Sequence, residues 1–319
     1  MPLLRDLSRG VRDTLASQKI EIGPDLDAID NVEHWLTLLA DPAPWLSYAE
    51  QQRNSALFSE VSQAIFDVLT AMQVTASLEA PPTWLLPLVK YWHRMQSTVI
   101  TFNYDFLVEL AYLQAVSPDP GSTNVPSDLY SIPVTPAALR VAPVYGHKKR
   151  ETFRLLKLHG SLDWWYSGPQ AEASDPIYGM AWTGNFAHGI TWHWGDIGGR
   201  LLVEDKFPML IPPAATKTPF YRNRLIARQW AQAGEALNQA DELVMMGYSA
   251  PLTDLTVSTL IATQFKGSTI IPVNRDRSVV DRLEELRSKV NLPTVLDVFI
   301  DDAAIENWVV TFASEPDAS

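Results

Sequence analysis

Apolar positions in this 319-residue chain follow two different rhythms. Through about residues 25–95 the rhythm is helical. Leu57, Val61, Ile65, Leu69 and Met72 recur every three or four residues and set one apolar stripe across Ser55 to Gln73. Upstream, Asp30 and Glu33 stand at capping-box spacing before His34–Leu39, which predicts a helix beginning near Asn31. Pro81, Pro82 and Pro87 break the pattern before a further short helix. From Thr98 onward, short apolar runs alternate with amphipathic stretches, as the strands and helices of a parallel sheet do. The predicted strands are Thr98–Phe102, Phe153–Leu158, Leu243–Met246, Thr269–Val273 and a last one near Val295–Ile300. The predicted helices are Tyr221–Ala240, with Leu225, Ile226, Trp230, Ala233 and Leu237 on its buried face, a helix capped by Asp254 that runs to Phe265 with Gly267 as its C-terminal cap, and Arg277–Lys289.

Two stretches interrupt the alternation. Residues 117–149 are rich in Pro, Ser and Asp and read as loop wrapped over the surface. Residues 164–213 carry Trp164, Trp165, Trp182, Trp192 and Trp194, whose rings either pack a core, the commoner use of aromatics, or stack on a nucleotide. With no repeat and no low-complexity linker, residues 1–319 read as one α/β domain, with a helical insertion at about 25–95 and a Trp-rich one at about 164–213. A hydrophobic content of 46% suits a packed core. A net charge of −12 argues against a nucleic-acid partner, because phosphate backbones are gripped by clustered Lys and Arg, and Lys148–Arg150 is the one compact basic run. No apolar run approaches the roughly 20 residues that span a bilayer. Met1–Asp6 lacks the basic start and apolar stretch of a signal peptide, so a cytoplasmic protein without a membrane partner is expected. The absence of Cys excludes disulfides, thiol nucleophiles and cysteine zinc sites together.

Four of the apolar runs stop at a residue able to do chemistry or grip a ligand: Asn103, His159, Gly247-Tyr248-Ser249 and Asn274. In an open parallel sheet ligands bind beyond the carboxyl ends of the strands, so these residues point to one site. His159 is followed by the small pair Gly160-Ser161, and an imidazole titrates in the range where a general base works. Asn103 does not titrate, but its amide offers one acceptor and two donors in a fixed plane, suited to holding hydroxyls or a water. Asp105 has two readings of equal weight, contact with a carboxamide or a cap on the helix that begins at Phe106. Gly247 permits close approach of the backbone to a phosphate or ribose. Other candidates are weaker. His188, His193 and Asp196 match no zinc spacing, Gly195–Gly199 lacks the order of a dinucleotide fingerprint, and Ser161 has no triad partner nearby in sequence.

Taken in order, Thr101-Phe102-Asn103-Tyr104-Asp105, Lys157-Leu158-His159-Gly160-Ser161, Gly247-Tyr248-Ser249 with Asp254, and Val273-Asn274 resemble the core motifs of the sirtuin superfamily. Tyr104 after Asn103, the Trp-rich stretch after His159 and the Ile211-Pro212-Pro213 segment look most like the bacterial sirtuin-like proteins, many of which hydrolyse NAD in anti-phage defence. The resemblance covers most of the chain. It implies a Rossmann-like, sirtuin-type parallel sheet and an NAD glycohydrolase, which cleaves the nicotinamide–ribose bond through an oxocarbenium-like state to give nicotinamide and ADP-ribose. His159 would then accept the proton and Asn103 would position the reacting groups. Asp105, Gly247, Tyr248, Ser249, Asp254, Asn274 and Arg275 carry over as NAD contacts, Asn274 toward the adenosine ribose and Arg275 toward a phosphate. NAD is the substrate, and the reaction requires no metal.

Sirtuin deacylases carry a four-cysteine zinc module where this chain has its Trp-rich stretch and no cysteine. That difference counts against NAD-dependent protein deacylation, the alternative among enzymes. A non-catalytic sensor of NAD or ADP-ribose is the alternative from another class. Expected partners are NAD or ADP-ribose, and either a second copy of the chain or another protein of a defence system. Sirtuin-like chains also open on a strand and a glycine-rich loop that cradles the pyrophosphate, and Met1-Pro2-Leu3 looks like the residues that follow that loop. The resemblance thus implies about 15–30 further residues upstream, enough for one strand and the loop. Asn103 and His159 are expected on one wall of a single pocket, within roughly 10 Å of each other.

Overall fold

In a computed structural model of the protein, the residues described are 4–22, 31–40, 44–116, 128–140, 151–168, 171–192, 202–211, 221–250, 254–289, 293–296 and 299–313. The Asp30 cap, Lys148–Arg150, His193, Trp194, Asp196, the Gly195–Gly199 run and Pro212-Pro213 lie outside them, as does the side chain of Trp192. The described residues form a mixed α/β structure with parallel strands.

The first part is helical: α1 (Leu4–Ser17), α2 (Val32–Ala40), α3 (Tyr48–Leu78) and α4 (Leu85–Met95). The predicted stripe lies on α3, where Val61, Ile65 and Leu69 are buried against Leu7, Val11 and Leu15 of α1 and Trp35, Leu36 and Leu39 of α2. Leu57 is half-buried and Met72 is exposed, so the buried face is shorter than the stripe. A capping box does occur, but at Ser47, whose hydroxyl accepts the Glu50 N–H while Glu50 accepts the Ser47 N–H at 2.7 Å. Pro87 does not break the chain. It sits in the first turn of α4, where no amide donor is needed.

Next come β1 (Thr98–Thr101), α5 (Leu107–Ala115), β2 (Thr135–Pro136) and β3 (Arg154–Lys157). Strands β1 and β3 pair in parallel, with Thr98 opposite Arg154 and Thr101 opposite Lys157. The segment expected to wrap over the surface instead buries Leu129, Tyr130 and Ile132, because Tyr130 bridges Leu155 on the side of β3 away from β1. From β4 (Gly160–Tyr166) the chain builds an antiparallel sheet with β5 (Tyr178–Gly179) and β8 (Phe207–Leu210), beside the hairpin β6 (Trp182–Asn185) and β7 (Gly189–Trp192). Strand β2 joins this sheet through its parallel pairing with β5, so the sheet draws on Thr135–Pro136 as well as on residues from Gly160 onward. Trp164 and Trp182 lie in its core, Trp182 stacked on Phe106 and Trp164 edge-on to Tyr130.

The remaining elements are α6 (Arg224–Gln239), β9 (Glu242–Met246), α7 (Leu255–Gln264), β10 (Thr269–Asn274), α8 (Ser278–Lys289), β11 (Thr294–Val295), β12 (Phe299–Ile300) and α9 (Ala304–Phe312). Strand β10 is buried on both faces, which explains its unbroken apolar run. Ile270 faces α7 and α8, while Ile271 and Val273 face α4 and α9. It pairs in parallel with β9 on one side and with both β11 and β12 on the other, so the single last strand expected is two short ones. Gly267 is not the helix cap. Phe265 takes that position, and a Cβ on Gly267 would meet the Asp241 carbonyl oxygen at 2.3 Å, so packing of the chain against that carbonyl requires the glycine. Among the described residues the β1–β3 pair and the β9–β10 sheet are not hydrogen-bonded to each other. Side chains join them: Trp92 of α4 and Trp230 of α6 each pack against the clusters of both.

Candidate active site

Strand β1 delivers Phe102 to Phe106, a segment in neither helix nor strand. Tyr104 and Phe106 point inward and are buried, while Asn103 is exposed and its N–H donates to the Thr101 hydroxyl at 3.1 Å. Asp105 Oδ1 accepts the Leu107 N–H at 3.2 Å, a cap-like bond at the start of α5.

His159 lies in the turn between β3 and β4 and is 8% exposed. That turn is possible because Gly160 takes φ +87° and because a Cβ there would fall 1.9 Å from the Met209 carbonyl oxygen of β8. The His159 ring is 5.2 Å from that of Phe102, 6.3 Å from Tyr104 and 6.4 Å from Trp230. Ile211 ties the two motifs together: its N–H donates to the His159 carbonyl at 2.9 Å, and its carbonyl accepts the Tyr104 hydroxyl at 2.5 Å. The two neighbours of Asn103 in sequence thus both lay a ring beside His159.

The end of β9 joins the same cluster, because Tyr248 packs on Phe102 at 5.3 Å. Its hydroxyl donates to Asp254 Oδ2 at 3.3 Å, while Asp254 Oδ1 accepts the Val257 N–H and caps α7 as expected. Burial, reinforced by the charge of Asp254, raises both the Tyr248 and the Tyr221 phenol well above the usual tyrosine range, so both stay neutral. At the end of β10, Asn274 is buried, its Nδ2 donates to the Tyr248 carbonyl at 3.2 Å and its Oδ1 accepts the Asp276 N–H at 3.1 Å. Gly247, Ser249 and Arg275 are exposed. Gly247 has φ +64° with open space where a Cβ would be, so a ligand could approach its backbone closely.

One chain of contacts therefore runs from His159 through Phe102 and Tyr248 to Asp254 and Asn274. Phe102, Tyr221 and Trp230 belong to this site, although sequence periodicity marks Phe102 as the end of a strand, Trp230 as a packing residue and Tyr221 only as the start of a helix. Behind it lies a buried polar network. Lys157 Nζ is 2.8 Å from Glu109 Oε1, which also accepts the Tyr130 hydroxyl at 2.8 Å. Ser161 donates to Asp163 Oδ1 at 2.5 Å, and Trp182 Nε1 donates to Asp163 Oδ2 at 3.2 Å, so Ser161 serves as a donor to Asp163. Burial pushes the Glu109 carboxyl up, against the opposing pull of Lys157, and pushes the Tyr130 phenol far up. No group of three or more His, Asp or Glu able to hold a metal occurs among the described residues, and no helix among them is long and apolar enough to cross a membrane. No protein-family model matches the chain, and no curated protein matches it.

Proposed function

We propose that the protein is a sirtuin-like NAD glycohydrolase, built on a Rossmann-like parallel sheet and acting in bacterial anti-phage defence. The observation that carries the reading is the meeting of three strand ends, at Phe102, His159 and Tyr248, on one aromatic cluster. In this reading a water adds to the ribose carbon as the bond to nicotinamide breaks. Nicotinamide leaves neutral, and the proton of the water passes to His159. Asn103 positions the water or the ribose hydroxyls from the exposed turn. Gly247, Tyr248, Ser249, Asp254, Asn274, Arg275 and Asp105 hold the rest of the dinucleotide.

The burial of His159 favours one second reading, a sensor that binds NAD or ADP-ribose without turnover, because a ring enclosed by Phe102, Tyr104 and Trp230 is poorly placed to exchange protons with solvent. Incubating the purified chain with NAD and separating the products tests both. The hydrolase releases nicotinamide and ADP-ribose, and His159→Ala or Asn103→Ala lowers the rate by roughly two orders of magnitude with the fold intact. Calorimetric binding of NAD without nicotinamide release would select the sensor. Turnover unchanged in both variants would remove these residues from the reaction.

A further inference from the structure

Lys157 and Glu109 each retain 1% of their side-chain exposure. Withdrawing two charges from water costs several kcal/mol per ion in general, and apolar replacements of a buried pair are often no less stable, so stability alone is a weak reason for this pair. What Lys157 touches suggests another role. Its ammonium donates to Glu109 Oε1 at 2.8 Å, to the Asp105 carbonyl at 2.6 Å and to the Tyr104 carbonyl at 3.5 Å, which uses all three donors. Those carbonyls belong to the segment that carries Asn103, which has no sheet ladder or helix to hold it. The Tyr104 carbonyl has a further donor in the Leu162 N–H of β4 at 3.0 Å.

The other end of the device is also fixed. The backbone of Lys157 is clamped by Gln229 of α6, which accepts its N–H at 2.9 Å and donates to its carbonyl at 3.0 Å. Glu109 lies in the first turn of α5, the helix into which the segment leads. The pair therefore spans from the strand that ends at His159 to the helix that follows Asn103, with the segment between. Because its residues alternate inward and outward, a shift of one residue would turn Asn103 into the protein.

We propose that Lys157, with Glu109 as its buried counter-ion, is a positioning residue that fixes Asn103 relative to His159; as a catalytic role it rests on the glycohydrolase reading. The test compares the wild-type chain, Lys157→Met, and the double variant Lys157→Met/Glu109→Leu, which removes both charges so that neither is left uncompensated. Amide hydrogen exchange and thermal melting are measured on each, with NAD hydrolysis as a second readout. The double variant is expected to melt within a few degrees of wild type while the amides of residues 102–107 exchange at least tenfold faster, and those of β9, β10 and α7 are unchanged. Its kcat for NAD is expected to fall at least tenfold with KM within threefold. Wild-type exchange across 102–107 in a stable double variant would overturn the proposal. So would failure of the double variant to fold, which would show that the pair holds the whole structure. If the wild-type chain releases no nicotinamide, the glycohydrolase reading fails alone, and exchange still decides whether Lys157 anchors the segment.

Discussion

Replacing Gly160 by alanine should be among the most damaging single-methyl changes in the chain. The added Cβ would stand 1.9 Å from the Met209 carbonyl oxygen and 2.9 Å from its carbon, whereas real Cβ contacts essentially never fall below 3.0 Å. The obstacle is backbone, so β4 and β8 must part by more than an ångström where Gly160 faces Leu210. That movement strains the next two bonds, Ile211 N–H to the His159 carbonyl and the Tyr104 hydroxyl to the Ile211 carbonyl. Leaving a buried polar group unsatisfied costs about 1–3 kcal/mol, and a non-glycine residue at positive φ adds about 1–2 kcal/mol. The total is roughly 2–5 kcal/mol, or a fall in Tm of about 3–8 °C for a chain of this size. Gly247→Ala is the control. Its φ is +64° but nothing lies within 4 Å of the new Cβ, so only the conformational cost of about 1–2 kcal/mol applies. Urea and thermal denaturation of the two variants separate the terms. Equal stability losses, or a Gly160→Ala chain melting within 2 °C of wild type by this measurement, would refute the steric argument.

Further outcomes follow from other parts of the structure. Trp164→Ala, which empties a fully buried site beside Tyr130, should cost about 3–5 kcal/mol in urea denaturation, and a loss under about 1 kcal/mol would show that the site collapses. Asp254→Ala should lower the Tyr248 pKa by removing the nearby negative charge and should fray the start of α7, read by ultraviolet titration of tyrosine and by exchange at Val257; an unmoved phenol titration would place its cause in burial alone. Hydrogen bonds from Ser47 and Ser278 hold Glu50 and Asp276 below the ordinary carboxylate values of 4.5 and 3.8. The sign is that of depressed acids: their contribution is present above those values and is lost as pH falls through the lowered ones. The first turns of α3 and α8 should therefore exchange faster at acid pH, once corrected for intrinsic exchange, and Ser47→Ala should weaken that dependence in α3, where the backbone N–H at position 47 still reaches Glu50.

The strands were legible in sequence because a parallel strand covered on both faces leaves an uninterrupted apolar signature, as Ile270–Val273 does between two helical layers. Elements with a one-sided or very short signal were harder. Helix α1 shows its face only in Leu7, Val11 and Leu15, and α9 only in Ala304, Trp308 and Val309. Leu129–Ile132 reads as loop because nothing local buries it; its core position comes from the bridge between Tyr130 and Leu155, a partner supplied by the folded sheet. Pro87 misleads for the opposite reason, since a proline that breaks a helix interior is harmless in a first turn.

The candidate site divides along the same line. Asn103, His159, Tyr248 and Asn274 stand at strand ends, and strand ends are visible in one dimension. The rings around His159 come from two segments far apart in sequence, the one after β1 and α6, and Lys157 and Glu109 are separated by 48 residues. A lysine inside an apolar run announces that something must neutralise it, but the run does not say what. The register of β1 on β3 supplies the answer. With Thr101 opposite Lys157, the lysine stands beside the point where β1 ends, within reach of the carbonyls of Tyr104 and Asp105. A slip of one residue would turn Lys157 to the other face of the pair and leave those carbonyls without their ammonium. The place of Asn103 is thus set by a strand pairing in which Asn103 takes no part.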